Sequence, residues 1–404
     1  EDPQRTDYFG WRTSAYHLKV PVIQALFEQV GDASTLRALN LVEVLNWAGA
    51  ALNRVNRAAF FAAFETGHAV QYFYEPFLEA FDPVLRKSLG VWYTPPEIVQ
   101  YMVARVDTVL REELGIADGL ADPSVVVLDP CAGTGAYLVE TLKRIAATLQ
   151  ANGEGALTAS EVRRAALSRI FGFEILPASY IIAHLQLGLL LQSLGAPLGK
   201  GERAAMYLTN SLTGWDPASE HPHLPFLRAL EKERDAAEKV KCEQPILVVL
   251  GNPPYNAFAG VSPAEEQGLV EPYKEGLVKQ WGIKKFNLDD LYIRFFRLAE
   301  RRIAEHTGRG VVCYISNYSW LDGLSHTGMR ERYLEVFDRI SIDCLNGDKY
   351  KTGKKTPDGK PDPSVFSTEK NREGIQVGTA IAMMERLPLK RVKSAVQTYS
   401  PIAQ

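Results

Sequence analysis

The sequence predicts an α/β protein with a seven-stranded, doubly wound Rossmann-like sheet and a helical domain on its N-terminal side. Three observations lead to this prediction. Short apolar runs alternate with longer amphipathic stretches from Val91 onward, as in a series of βαβ units. Residues 12–88 instead carry apolar residues at helical spacing. Polar or glycine-rich turns follow several apolar runs, at the strand ends where open α/β sheets bind ligands.

The composition is that of a globular chain with a sizeable core, since 46% of the 404 residues are hydrophobic and 23% are charged. A net charge of −3 excludes a uniformly basic nucleic-acid binder, so any nucleic-acid contact requires a local positive cluster. The four cysteines form no C-x-x-C pair, which favours buried thiols in a reducing, cytoplasmic compartment. No apolar run reaches 18 residues, so we expect neither a membrane span nor a signal peptide. The first residue is Glu1 and not Met, which is compatible with a piece excised from a longer protein.

Three parts are predicted along the chain. Residues 1–88 form an N-terminal helical domain, in which Val22 and Leu26 illustrate the helical spacing of apolar positions. Residues 89–390 form the sheet domain, and residues 391–404 form a C-terminal tail.

The sheet domain contains seven apolar runs that we predict to be strands. They are residues 124–128, 170–174, 205–209, 245–250, 310–316, 339–345 and 375–384. Amphipathic stretches between them predict helices. The clearest are residues 135–150, 159–169, 178–192 and 288–306.

A polar segment between the last two predicted strands, "GDKYKTGKKTPDGKPDP" over residues 347–363, contains five lysines. A solvated mobile loop is one interpretation of this segment, and contact with phosphates is the other. No G-x-x-x-x-G-K-[ST] phosphate loop occurs anywhere in the chain.

The stretch "VVVLDPCAGTGAYLVE" places an acid and a glycine-rich turn after the first predicted strand. Asp129 and Pro130 open the turn, and Gly133 and Gly135 lead into a helix. Such glycines let a ligand approach the backbone and let the helix pack on the strand, although a structural turn alone explains the pattern equally well. The acid before the glycines suits a ligand with hydroxyls or an ammonium group better than a pyrophosphate.

Two further elements follow the same logic. The second strand ends in Glu174, where a carboxylate can accept hydrogen bonds from ribose hydroxyls; a surface carboxylate is the alternative. "YTPPEIV" is a helix start, with Thr94 predicted as N-cap, Pro95 at N1 and Glu97 at N3. A helix N-terminus also attracts a carboxylate such as that of methionine.

The fourth strand stops abruptly in "GNPPY", residues 251–255. Its two prolines have no backbone N–H and fix φ, so the turn is rigid. Asn252 offers an amide oxygen and the carbonyl groups beside Pro253 and Pro254 are further acceptors, which together can receive both N–H groups of an exocyclic amino group. Tyr255 offers a flat face for a planar base. A proline-rich turn with a buried tyrosine is the alternative.

Together, "DPCAGTG" and "NPPY" resemble the motif pair of S-adenosyl-L-methionine-dependent amino-methyltransferases of the N6-adenine type. Because "TPPEIV" precedes both, the order resembles the gamma group of adenine-specific DNA methyltransferases. The chain is similar to the methyltransferase portion of type ISP single-chain restriction-modification enzymes over roughly residues 66–386. The stretches that carry this similarity include "HAVQYFYEPFLEAFDPVLRKSLGVWYTPPEIV", "DLYIRFFRLAERRI" and "GIQVGTAIAMMER".

The resemblance implies methyl transfer from S-adenosyl-L-methionine to N6 of an adenine flipped out of double-stranded DNA, within a restriction-modification or phage-defence system. It implies a catalytic role for Asn252, Pro253, Pro254 and Tyr255, and no metal. The residues that the resemblance assigns to the cofactor are Tyr93, Thr94, Asp129, Pro130, Gly133, Gly135, Glu174 and Asn210. Tyr93 and Thr94 lie at its methionine end and Asn210 at its adenine; Phe366 is expected to give the target base a second aromatic face.

Three alternatives stay open: an N4-cytosine DNA methyltransferase, a protein glutamine N5-methyltransferase, and a catalytically silent DNA-binding subunit. Gamma-group enzymes usually carry a target-recognition domain after the sheet, but this chain ends about 20 residues after its last predicted strand. We therefore expect either a catalytic fragment or a chain that relies on a separate target-recognition domain or subunit.

Overall fold

The structure is a computed structural model. It describes residues 9–12, 24–25, 31, 33–56, 59, 94–153, 155–199, 201–215, 228–255, 266, 268–284, 288–367, 374–388 and 396–401.

Among these residues eight strands form one sheet. The strands are β1 Val127–Asp129, β2 Ile170–Glu174, β3 Met206–Leu208, β4 Val248–Gly251, β5 Gly310–Asn317, β6 Arg339–Cys344, β7 Thr379–Arg386 and β8 Val396–Pro401. Each of the strands β1 to β7 overlaps one of the seven predicted apolar runs, so the prediction of seven strands in these places is confirmed, although several bounds differ by a few residues.

The strands are ordered β3-β2-β1-β4-β5-β7-β6-β8 across the sheet. Strands β1 to β5 are parallel to one another, and β7 is antiparallel to its neighbours β5 and β6. The carboxyl ends of β1 to β6 therefore lie along one edge. From β1 the chain adds β2 and β3 on one side of the sheet, and it then adds β4 and β5 on the other side of β1. The boundary between β1 and β4 is therefore a topological switch point, where doubly wound sheets bind their ligands.

Strand β8 lies in residues 391–404, the segment for which the sequence predicts a C-terminal tail without a strand. It pairs in parallel with β6, from Arg339 opposite Val396 to Cys344 opposite Pro401. The segment contains no apolar run that would have predicted it. A strand at the edge of a sheet forms through backbone pairing with its neighbour, and such pairing leaves little trace in the sequence.

Helices of at least four residues cover both faces of the sheet. In the described part of the chain they are α1 Ala33–Ala38, α2 Val42–Leu52, α3 Pro96–Glu112, α4 Ala136–Ala151, α5 Gly155–Ser168, α6 Pro177–Ser193, α7 Arg228–Glu243, α8 Glu271–Lys274, α9 Leu291–Glu300, α10 Ser319–Asp322 and α11 Thr327–Val336. Helix α9 continues as a π-helix over Arg301–Thr307. Helices α4, α5, α6 and α9 confirm the predicted amphipathic stretches.

Two hydrophobic clusters fill the two faces of the sheet. Neighbouring strand residues alternate between them: Val127 and Val248 face one cluster, whereas Leu128 and Val249 face the other. Helices α3 to α6 close the first cluster, and helices α7, α9 and α11 close the second. Burial on both faces explains why the central strands read as continuous apolar runs.

The described residues of the predicted N-terminal domain include helices α1 and α2. The boundary predicted at residue 88 lies outside the described residues, as does the aromatic segment before it. The division into domains therefore stays a prediction.

Candidate active site at the carboxyl ends of β1, β2 and β4

The glycine-rich turn after β1 and the proline turn after β4 meet at the switch point. Strands β1 and β4 are direct neighbours, so their last residues Asp129 and Gly251 lie side by side. A Cβ atom on Gly251 would stand 2.7 Å from Asp129 Oδ1 and 3.0 Å from Cys131 Sγ. Only glycine permits this approach, which brings together two predicted motifs that are more than 100 residues apart in the chain.

Asp129 is a fully buried carboxylate at the end of β1. Its Oδ1 accepts a hydrogen bond of 3.0 Å from the backbone N–H of Cys131, but its Oδ2 is buried without a hydrogen-bond partner. Burial raises the pKa of Asp129 to about 7, and the charge of Glu174 adds to this effect. A buried carboxylate oxygen without a partner is costly in isolation and favours a cationic or hydrogen-bonding ligand.

The glycine-rich turn connects the ends of β1 and β2. Gly133 N–H donates to Glu174 Oε2 at 2.8 Å, and no atom lies within 4 Å of the position of its missing Cβ. Gly135 has φ +88° immediately before α4, and a Cβ there would lie 3.2 Å from Ala183 Cβ of α6. Glycine is needed at this position for its backbone conformation and for the close approach of α6.

Glu174 is held rigidly at the end of β2. It is 8% exposed, and its Oε1 accepts hydrogen bonds from the backbone N–H groups of Ile175 and Leu176 at 2.9 and 2.7 Å. Burial raises its pKa, and these backbone bonds oppose the rise. The next side chain, Ile175, is 62% exposed, which is unusual for isoleucine. Ile175 was not predicted from the sequence, because an apolar residue after a strand carries no signal of its own.

The loop after β3 is fixed by hydrogen bonds from two directions. Asn210 Oδ1 accepts from Leu212 N–H at 2.9 Å, and the Ser211 hydroxyl donates to the carbonyl of Pro130 in the glycine-rich turn. Lys241 of α7 is 1% exposed, and its Nζ donates to Thr209 Oγ1, Asn210 O and Thr213 O at 2.9, 2.7 and 2.9 Å. Lys241 was not predicted because it lies within the charged run "EKERDAAEKVK", which reads as a solvated helix face.

The amide of Asn252 lies between two hydroxyl groups. Its Nδ2 donates to Thr94 Oγ1 at 3.1 Å, and its Oδ1 accepts from the Tyr255 hydroxyl. The Tyr255 hydroxyl also lies 3.2 Å from the carbonyl oxygen of Ile315 in β5. Asn252 is half-buried, so the amide is accessible from the sheet edge while both of its ends are hydrogen-bonded.

Tyr255 packs where the two hydrophobic clusters approach each other. Its ring contacts Tyr292 of α9 edge-on, with the centroids 6.3 Å apart, and burial raises the pKa of its hydroxyl well above the usual range. Pro253 is buried and Pro254 is half-buried. The four residues predicted after β4 therefore form one compact turn beside Asp129.

Helix α3 begins one residue later than the sequence predicts. Pro95, with φ −53° and ψ 141°, occupies the N-cap position, so Pro96 is the first helical residue and Glu97 the second. Thr94, which is 6% exposed, therefore caps no helix, and its hydroxyl contacts Asn252. Two consecutive prolines fix this arrangement, because the residue before a proline is disfavoured in the helical region. Tyr93 lies outside the described residues.

Phe366 does not present the open aromatic face that was expected of it. Its side chain is 4% exposed and belongs to the same hydrophobic cluster against which Tyr255 packs. The run "PSVF" is apolar, and burial in the core competes with a role at the surface.

The lysine-rich segment, residues 347–363, leaves β6 at the edge that carries the site; we call it the basic loop. Asp348 anchors it by accepting hydrogen bonds from Tyr350 N–H, Gly378 N–H and the Tyr318 hydroxyl at 2.7, 3.0 and 2.9 Å. Lys349, Lys351 and Lys355 are exposed. Because Tyr318 follows β5, the neighbour of β4, the loop lies along the same edge of the sheet as the end of β4.

No helix in the described part of the chain is long and apolar enough to cross a membrane. No group of three His, Cys, Asp or Glu side chains in that part of the chain could hold a metal ion.

The sequence matches the family described as N-6 DNA Methylase over residues 66–267, which is half of the chain. A comparison with curated proteins found no similar one.

Solved structures with a similar fold include two restriction-modification enzymes and a further protein–DNA complex. The ATP-dependent type ISP restriction-modification enzyme LlaBIII bound to DNA has a TM-score of 0.74 and 22% identity, covering 97% of this chain and 26% of that one. The DrdV–DNA complex has a TM-score of 0.69 and 22% identity, with 96% and 36% coverage. A nuclease-deletion mutant of the type ISP enzyme LlaGI with a DNA substrate mimic has a TM-score of 0.66 and 21% identity, with 97% and 31% coverage. The chain thus spans about a quarter to a third of the length of these proteins, and at this identity the likeness shows the fold.

Proposed function

Because the chain belongs to the N-6 DNA methylase family, we propose that it transfers a methyl group from S-adenosyl-L-methionine to N6 of an adenine flipped out of DNA. The observation that carries this proposal is the meeting of Asn252 and Asp129 at the ends of two neighbouring strands. The turn with Asn252 suits a methyl acceptor that carries an amino group, and Asp129 suits a cationic ligand. The two reactants would therefore lie side by side.

The residues at the switch point fit the proposed cofactor. S-adenosyl-L-methionine would supply an electrophilic methyl group, and it carries an ammonium group, ribose hydroxyls and an adenine ring. Asp129, whose Oδ2 is buried without a partner, suits the ammonium group, and Glu174 can accept from hydroxyls. The exposed Ile175 offers an apolar surface to the ring beside Glu174.

Asn252 would act on the nucleophile. Adenine N6 is a poor nucleophile because its lone pair is delocalised into the ring. Hydrogen bonds from the amino group to Asn252 Oδ1 and the Pro253 carbonyl would favour a more tetrahedral nitrogen and direct its lone pair. Preorganised interactions of this kind typically lower a barrier by a few kcal/mol. Stacking on Tyr255 would offset part of the few kcal/mol that base flipping costs.

The decisive experiment compares Asn252→Ala with the wild-type chain on plasmid DNA free of N6-methyladenine. We expect kcat to fall by at least about 100-fold, as for the loss of one preorganised hydrogen-bonding group, with S-adenosyl-L-methionine binding changed by less than about threefold. Asn152→Ala is the matched control, because Asn152 lies at the far end of α4 and bonds to Asp118. Wild-type turnover in Asn252→Ala would refute the catalytic role.

The same assay separates the alternatives when the methylated product is identified by mass spectrometry. N6-methyladenine is the expected nucleoside. N4-methylcytosine would overturn the choice of base, and methylated glutamine in an added protein substrate, without DNA methylation, would overturn the choice of polymer. A chain that binds no cofactor, as measured by calorimetry, would be a silent subunit.

We further propose that the chain is the modification part of a restriction-modification system and that another domain or subunit chooses the DNA sequence. Support comes from the relatives in complex with DNA, which are about three to four times longer than the part they share with this chain. The division into a helical domain over residues 1–88 and a methyltransferase domain over residues 89–390 belongs to this proposal. High selectivity of the isolated chain for one short DNA sequence would refute the need for a partner.

A further inference from the structure

We propose that Thr94 is a positioning residue, whose hydroxyl fixes the orientation of the Asn252 amide. The inference rests on the proposed function, because the orientation matters only if the Asn252 oxygen accepts a bond from the substrate amino group.

The nitrogen side of the amide defines the direction of the hydrogen bonds. Asn252 Nδ2 can only donate, so Thr94 Oγ1 accepts at 3.1 Å. The amide nitrogen is therefore directed at Thr94, and the amide oxygen is directed at Tyr255.

The start of α3 holds Thr94 in place. Thr94 is 6% exposed and directly precedes Pro95 and Pro96, whose fixed φ angles leave the backbone little freedom. Helix α3 packs into the hydrophobic core through Val99 and Met102. A rigid helix start therefore holds the Thr94 hydroxyl against the nitrogen end of the amide.

The oxygen side of the amide is kept ready for a donor. Asn252 Oδ1 accepts from the Tyr255 hydroxyl, which has a second acceptor 3.2 Å away in Ile315 O. Tyr255 can therefore release Asn252 to an incoming amino group and still have a hydrogen-bond partner. If the Asn252 amide were rotated by 180°, its NH2 group would face the amino group of the substrate. Two donors would then face each other, and both would lose a hydrogen bond.

The test uses Thr94→Val, which keeps the shape of the side chain and removes its oxygen. With the 404-residue chain, DNA free of N6-methyladenine and saturating S-adenosyl-L-methionine, we expect kcat to fall about 10- to 100-fold, as for a misplaced catalytic group. The cofactor Kd from calorimetry should change by less than about threefold, and Thr94→Ser should restore most of the rate, because the hydroxyl alone is needed.

Thr141→Val is the matched control. Thr141 is fully buried on α4, but its Oγ1 has no hydrogen-bond partner, so its loss should change kcat by less than about threefold. If Thr94→Val loses its fold, as judged by circular dichroism, Thr94→Ala replaces it, with a similar fall in kcat expected at unchanged cofactor affinity.

Two outcomes would overturn the inference. A wild-type kcat in Thr94→Val, or in Thr94→Ala where that variant decides, would exclude a positioning role. A weakened cofactor Kd with full activity at saturating cofactor would make Thr94 a cofactor contact instead. A wild-type chain that forms no N6-methyladenine would refute the proposed function itself, which is a different result.

Discussion

The raised pKa of Asp129 makes a quantitative prediction about cofactor binding. In the free protein burial raises the pKa of this carboxyl to about 7. If the ionised form binds the ammonium group of S-adenosyl-L-methionine, affinity must fall as the pH drops below 7, because a proton then has to leave before the cation binds. The relevant perturbation is Asp129→Asn, which keeps the shape and removes the charge.

The magnitude follows from the titration of one group. With a pKa of about 7, half of the carboxyl groups are ionised at pH 7 and about 1% at pH 5, so the association constant should fall roughly 50-fold over this interval. The α-amino group of the cofactor titrates near 8, which confines the test to the acidic side. Glu174 faces Asp129 and also has a raised pKa, so a second, weaker proton linkage is expected through it.

Isothermal titration with S-adenosyl-L-methionine between pH 5 and 7 measures this dependence. Asp129→Asn should bind more weakly at pH 7 and show a much flatter profile. Glu385→Gln is the control, because burial also raises the pKa of Glu385 to about 7. Glu385 lies on β7 opposite Val311 at the start of β5, away from the strand ends that carry the site. An unchanged acidic profile in Asp129→Asn, or its loss in Glu385→Gln, would refute the reasoning.

The same group should affect the stability of the free chain in the opposite sense. An unfolded aspartate ionises near pH 3.9, whereas folded Asp129 stays protonated up to about 7, so its burial destabilises the fold increasingly between these values. The penalty is complete above pH 7 and is at most about 4 kcal/mol, from roughly three pKa units. Asp129→Asn should therefore raise the Tm of the cofactor-free chain more at pH 8 than at pH 4, as measured by calorimetry.

Two further predictions concern DNA. Tyr255→Ala should raise the KM for DNA more than it changes the cofactor Kd, because stacking on the flipped base is lost at about 1–3 kcal/mol; an unchanged KM would exclude stacking. Replacing three exposed lysines of the basic loop by alanine should weaken the salt dependence of DNA binding; they are Lys349, Lys351 and Lys355. The slope of the logarithm of the association constant against the logarithm of the salt concentration should become less steep by up to about 3, as measured by fluorescence anisotropy. Three exposed lysines of α4 and α7 serve as the control and should leave the slope unchanged. They are Lys143, Lys232 and Lys239. Equal effects of both sets would mean that the basic loop has no special role.

Much of the central sheet could be predicted from the sequence. Strands β1, β2 and β4 are buried on both faces and therefore read as apolar runs, and the residues after them are the ones that the fold brings to the switch point. Asp129 and Gly251 occupy adjacent strand ends, as the motif interpretation requires. These features depend on local patterns, which a sequence records directly.

Other features depend on contacts between distant segments. Strand β8 forms through pairing with β6, and β7 lies between β5 and β6 although it follows both in the chain. Phe366 is apolar in either role, and only its packing decides that it is buried. Lys241 reads as a surface charge until the fold places the loop after β3 around its ammonium group.

The sequence by itself determined the fold class, the strands β1 to β7 and the two motifs, because hydrophobic periodicity and turn chemistry act over a few residues. The tertiary structure alone decided what those motifs touch. Thr94 and Asn252 are 158 positions apart, and their hydrogen bond exists because α3 packs against the sheet beside β4. Hydrogen bonds between distant segments have strict geometry but impose no spacing on the sequence, so their partners are visible only in three dimensions.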